Sequence, residues 1–148
     1  MTTTHPATAT QRDASKKGVA RTALLATLAA VATNLSLFGL ARALGVDFAP
    51  ARSAQTTTVG PAAVLAATLV AMSIGWVAVA LATRRHRSKL PTMAIIGGLL
   101  ATLSTLAPLT LDTDIAAKLT LASLHLITGT FYVIGVAKLV RADSGEAQ

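Results

Sequence analysis

Residues 59–83 read VGPAAVLAATLVAMSIGWVAVALAT, without one charged side chain, and Arg84, Arg85, His86, Arg87 and Lys89 follow at once. As an α-helix rising about 1.5 Å per residue, this stretch is about 38 Å long. The hydrocarbon core of a bilayer is about 30 Å thick and needs about 20 apolar residues to cross. Three more stretches of the same kind flank it: Val19–Arg42, Pro91–Leu111 and Ala116–Val140. Short polar breaks separate them. The expected fold is an all-α integral membrane protein, an antiparallel up-down bundle of four transmembrane helices.

Composition agrees. Of 148 residues, 53% are hydrophobic and 13% charged, where a soluble domain carries about 25% charged residues. Mean hydropathy is +0.62. A single transmembrane domain is expected over 19–141, between a disordered cytoplasmic tail (1–18) and a short cytoplasmic tail (142–148). The net charge of +7 invites a nucleic-acid reading. That reading fails because the basic residues flank apolar helices, and aromatics, which base stacking needs, make up only 3%. The chain has no cysteine, so thiol–disulfide relays and thiolate metal sites are excluded.

The charges also give a threading. Arg12, Lys16, Lys17 and Arg21 precede or open span one. Arg84, Arg85, Arg87 and Lys89 separate spans two and three, and Lys138 and Arg141 close span four. The other two breaks hold only Arg42, Arg52 and Lys118. Cytoplasmic loops are rich in Lys and Arg, and an even number of spans puts both termini on one side. Both arguments predict cytoplasmic termini in a plasma membrane, with residues 43–58 and 112–115 outside.

Local signals mark the span ends. Pro61 and Pro91 fall in first turns, where a missing N–H costs little. Thr57 or Thr58 suits the cap of span two, and Thr113 or Asp114 that of span four. Gly45 follows span one as a helix stop. Pro108 should kink or fray the outer turn of span three.

Ionisable or strongly polar groups at bilayer depth are functional candidates by default. Span one contains Asn34 and span four contains His125, with Lys118 seven residues earlier on the same helical face. Ala122, Gly129 and Tyr132 continue that face and Thr128 flanks it. Arg42 and Asp47 end span one on the side where span four begins. These residues predict an outward-facing polar pocket between spans one and four, built from Arg42, Asp47, Lys118, His125 and Asn34, with Asp47 pairing with Arg42 or Lys118. The plainer alternative is that His125 makes one interhelical hydrogen bond, to Asn34 or a threonine, and holds the bundle together. Arg84, Arg85, Arg87 and Lys89 anchor the topology and suit anionic lipid headgroups.

No Ser/His/Asp set, paired carboxylates or phosphate-cradling loop falls at a workable depth, so no enzymatic activity is expected. No metal site or cofactor is expected either, because His125 stands alone among membrane-embedded metal ligands. Small residues four apart in Ala71-Met72-Ser73-Ile74-Gly75, and the pair Gly97-Gly98, favour close helix contact. The leading expectation is a small structural or accessory membrane subunit acting by helix–helix contact. Its partners would be the bilayer and another membrane protein or a second copy. The alternative is a small transporter or ligand/proton sensor using the polar pocket. Small multidrug exporters have a similar length and span count, but they rely on a span-one carboxylate where this chain offers Asn34.

Three local patterns carry a family resemblance: Ala41-Arg42-Ala43-Leu44-Gly45-Val46-Asp47, the basic break after span two, and Ala117-Lys118-Leu119 with Leu124-His125-Leu126. Over about residues 20–140 the chain resembles the actinobacterial four-helix membrane family called domain of unknown function 6069. The resemblance implies a bacterial inner-membrane protein and no particular activity.

Overall fold

The computed structural model describes residues 9–49, 58–85 and 87–145. Its elements are α1 (Ala9–Ala43), α2 (Pro61–Arg85), a 3₁₀ turn (Arg87–Lys89), α3 (Leu90–Ser104), α4 (Leu106–Leu109) and α5 (Ile115–Gly145). Among the described residues, four segments are long and apolar enough to cross a membrane: Lys17–Ala43, Pro61–Arg84, Leu90–Leu109 and Ile115–Gly145.

The termini depart from expectation. Helix α1 starts at Ala9 rather than Val19, so residues 9–18 are helical where a disordered tail is expected. Once the apolar span has supplied a helix nucleus, extending it through Ala9, Gln11, Arg12, Ala14, Lys16 and Lys17 needs no second nucleation, and these are good helix formers. Helix α5 likewise runs on to Gly145. Residues 1–8 and 146–148 of the expected tails lie outside the described residues, as does Arg52.

The span ends follow local chemistry. Gly45 has φ +86. Its N–H donates to the Arg42 carbonyl, and the Val46 N–H donates to the Ala41 carbonyl, each at 3.0 Å. This is a Schellman stop, which needs a left-handed residue at that position. At the start of α5, Asp114 is the cap: its carboxylate accepts from the Ala116 N–H at 3.3 Å and its carbonyl from the Lys118 N–H at 3.0 Å. For α2, the Gly60 carbonyl takes the first bonds, from Ala63 and Val64. Thr57 lies outside the described residues. Pro108 interrupts the third span as its chemistry requires. It has no N–H for the Ser104 carbonyl, and the helix breaks between Ser104 and Leu106.

The spans do not form an even square. Helix α5 is the pillar, with α1 packed along one flank and α3 along the other, while α2 leans on α1 and meets α3 and α5 only over short stretches. Around the bundle the order is α2, α1, α5, α3, with a gap between α3 and α2. Two apolar clusters hold it. One joins Ala30, Met72, Trp76, Val79, Leu90, Tyr132 and Val136 towards the basic break. The other joins Phe38, Ala41, Phe48, Val64, Ala117 and Leu124 at the opposite end, where the Phe38 and Phe48 rings lie 4.6 Å apart. Glycines set the closest approaches. The Tyr132 ring lies between Gly75 and Gly97, and Ala101 packs directly on Gly129, so a β-carbon at Gly97 or Gly129 would overlap its neighbour.

Candidate functional site

Asn34 sits between the two apolar clusters. It is 1% exposed. Its Nδ2 donates to Thr68 Oγ1 on α2 and to Thr128 Oγ1 on α5, both at 2.9 Å. Each threonine hydroxyl donates in turn to the carbonyl one turn back: Thr68 to Val64 and Thr128 to Leu124, each at 2.8 Å. These bonds orient the amide. Both hydroxyl protons are committed to carbonyls, so the hydroxyl oxygens can only accept, and the Asn34 group facing them must be the NH₂. The Asn34 Oδ1 is left buried without a hydrogen-bond partner. Leaving a buried acceptor unpaired costs about 1–3 kcal/mol in ordinary protein surroundings.

The gap between α2 and α3 is a cleft of about 500 Å³ with its floor on α5. Its walls are small and apolar: Ala67, Ala71 and Gly75 on α2 face Gly97, Leu100 and Ala101 on α3. Asn34, Thr68, Ser104, His125, Thr128 and Tyr132 are the polar members of its lining, and no Asp, Glu, Lys or Arg belongs to it. The ends of the cleft differ. Towards the basic break the Tyr132 ring fills the space between the two glycines, and its hydroxyl makes a long 3.4 Å contact with the Met93 carbonyl. His125 is half-buried, with Nδ1 2.9 Å from the Leu121 carbonyl of its own helix. A carbonyl only accepts, so Nδ1 carries a proton, and in the neutral ring Nε2 is the acceptor.

The expected pocket is therefore corrected in place and in membership. The α1–α5 flank, where it was expected, is closed by direct packing of Ala30 and Val136 at one level and of Phe38, Ala41 and Ala117 at the other. Asn34 and His125 do come together, but beside the α2–α3 cleft. His125 bonds to its own backbone and not to Asn34 or a threonine. Arg42 and Asp47 are exposed and Lys118 is half-exposed, and all three lie away from the cleft. Asp47 accepts from the Ala49 N–H at 3.0 Å. Among the described residues, no ion pair joins it to Arg42 or Lys118. The local turn after the Schellman stop takes the carboxylate first. Arg84 and Lys89 are exposed beside the basic turn.

Thr68 is the member of the Asn34 node that sequence reading misses. A depth comparison could have found it, because Asn34, Thr68 and Thr128 all lie well inside their spans.

Residues 14–142 match a family of unknown function (DUF6069). The chain belongs to this family. The match takes in all four spans, and with them the cleft and the Asn34 node. No curated protein and no solved structure matches the chain. The family assignment brings no activity with it, so the chemistry of the site is argued from its own residues. Among those described, no three His, Cys, Asp or Glu side chains converge as metal ligands.

Proposed function

We propose that this is a non-enzymatic plasma-membrane protein, both termini cytoplasmic, that holds a small membrane-soluble molecule in the cleft between spans two and three. The observation that carries the reading is the cleft itself. About 500 Å³ of space is of the size that binds small molecules, and its mostly apolar lining with a few convergent polar groups is of the right kind. Its open side lies between two membrane-spanning helices, so a guest reaches it from the bilayer rather than from water. The distribution of Lys and Arg supports the orientation. Binding without transport fits the lack of an acid or a cation in the lining.

The test is native mass spectrometry of protein released directly from vesicles. A retained adduct is expected for wild type, lost in Ala71→Trp, which fills the cleft, and kept in Val70→Trp, whose site faces away from it. No adduct in any form contradicts the proposal. A tag fused after Gln148 should stay protected in intact cells.

A second reading is an accessory subunit that works by helix–helix contact. One observation favours it: only 6% of the Leu90–Leu109 window is buried within the chain, against 39% for Ile115–Gly145. Span three thus has most of its surface left for a partner helix or a second copy. Co-purification of a partner, abolished by Leu99→Trp on the exposed face of α3, would favour this reading over the first.

A further inference from the structure

The polar groups around the cleft are unbalanced, and the imbalance says what kind of molecule belongs there. Among the described residues, the side-chain donors in the lining are all directed to protein acceptors. Asn34 Nδ2 serves both threonines. Thr68 and Thr128 serve carbonyls. Ser104 donates to the Ala101 carbonyl at 2.7 Å, His125 Nδ1 to the Leu121 carbonyl, and Tyr132 to the Met93 carbonyl. What remains is an acceptor: in the neutral ring His125 Nε2 has no partner among the described residues, whereas the unpaired Asn34 Oδ1 is sealed inside the bundle.

We infer that the guest is a neutral amphiphile carrying a hydroxyl group, which donates to His125 Nε2. This rests on the reading of the cleft as a binding site and adds the chemistry of its occupant. A carboxylate or phosphate head needs donors, and the cleft has none to spare. An ammonium head needs a counter-charge, and no acid lines the cleft. A pure hydrocarbon would leave His125 Nε2 unpaired at depth, where lipid supplies no donor. A hydroxyl satisfies the site, and the site relieves the hydroxyl: each is costly alone in hydrocarbon and less so together. His125 lies about 15 Å along α5 from Ile115, so the hydroxyl sits well below the headgroups. The small side chains of the walls, Ala67, Ala71 and Gly75 against Gly97 and Ala101, leave room for a slender apolar body beside it.

The experiment is photolabelling of the full chain in phosphatidylcholine vesicles with a diazirine-bearing cetyl alcohol, with labelled residues mapped by mass spectrometry. Unlabelled cetyl alcohol and cetyl methyl ether serve as competitors. The ether has the same chain and an oxygen acceptor but no donor. Labelling is expected on the α2 and α3 walls around Ala71 and Leu100, with the alcohol competing on the order of threefold better than the ether, as one intramembrane hydrogen bond gives. His125→Phe keeps an aromatic ring of similar size, so labelling should persist while the preference disappears. Equal competition by the two compounds against wild type overturns the hydroxyl inference and leaves the cleft reading standing. Absence of label from the cleft walls overturns the cleft reading and this inference with it. The wild-type comparison needs no variant to fold.

Discussion

The two flanks of α5 are built differently. Towards α1 the interface is closed, with Ala30, Ala117 and Val136 fully buried and Phe38 and Ala41 nearly so. Towards α2 and α3 it is open over much of its length: α3 sits on α5 through Gly129 and Ala101, yet Leu90 is the buried residue that α3 contributes, and α2 meets α5 only near the basic break, where Trp76 packs on Gly135. In a bilayer such a gap is cheap, because lipid tails are as apolar as the side chains they would touch and little hydrophobic force pulls the helices together. Helices close only where small residues allow tight packing or polar groups pair. The first happens at Gly129, and the second at Asn34 with Thr68 and Thr128. Where α2 and α3 face each other lower down, the Tyr132 ring sits between them and holds them apart.

Substitution should cost most at the tight contacts. Gly97→Leu places a side chain in the volume of the Tyr132 ring. Overpacking of this kind should cost about 3 kcal/mol, read as a loss of helicity at lower denaturant in a detergent titration. An unchanged midpoint would mean that α3 does not seat on Tyr132. Asn34→Leu removes two hydrogen bonds together with the unpaired Oδ1. With intramembrane bonds averaging about 0.6 kcal/mol each, the expected loss is about 1 kcal/mol in the same titration. Thr68→Val, which removes one of those bonds while keeping the shape, should cost about 0.6 kcal/mol. A larger loss for Thr68→Val than for Asn34→Leu would contradict the orientation assigned to the amide. Ala71→Trp projects into the cleft and should change stability by less than about 0.5 kcal/mol, in contrast to Gly97→Leu. A loss comparable to that of Gly97→Leu would mean the gap is filled by protein. Smallest of all, Asp47→Asn keeps the bond to the Ala49 N–H and breaks no ion pair, so melting should not shift. A clear destabilisation would restore a pairing with Arg42 or Lys118.

The parts of this molecule that depend on neighbouring residues were legible from sequence. Gly45 as a left-handed stop, Asp114 as a cap and Pro108 as a break each follow from chemistry within one turn of chain. The four spans follow from uninterrupted apolar length. Their arrangement around α5 was not legible. In a soluble bundle the apolar face of a helix marks the side that meets its neighbours. These spans are apolar on the lipid side as well, so Lys118, His125 and Tyr132 on one face of α5 show that the face exists without showing which helix it meets. Hence a pocket expected between spans one and four lies between spans two and three. Asn34 belongs to span one but reaches Thr68 and Thr128 from behind, through 34 and 94 residues of sequence separation respectively, and no local pattern encodes such a pairing. Arg42 and Asp47 share a membrane level with Lys118, yet none of the three lines the cleft. Level alone does not select the side of a helix.

Oxygen collision with a spin label tests the open flank directly. Because the chain has no cysteine, single nitroxides can be placed at Ala71→Cys in the cleft, Val70→Cys on the lipid face and Ala30→Cys in the closed interface. Collision rates with dissolved oxygen in vesicles should be high at Ala71 and Val70 and low at Ala30. Added cetyl alcohol should lower the rate at Ala71 and leave Val70 unchanged. A rate at Ala71 as low as that at Ala30 would mean that α2 and α3 close on each other in the membrane, and the account would be wrong.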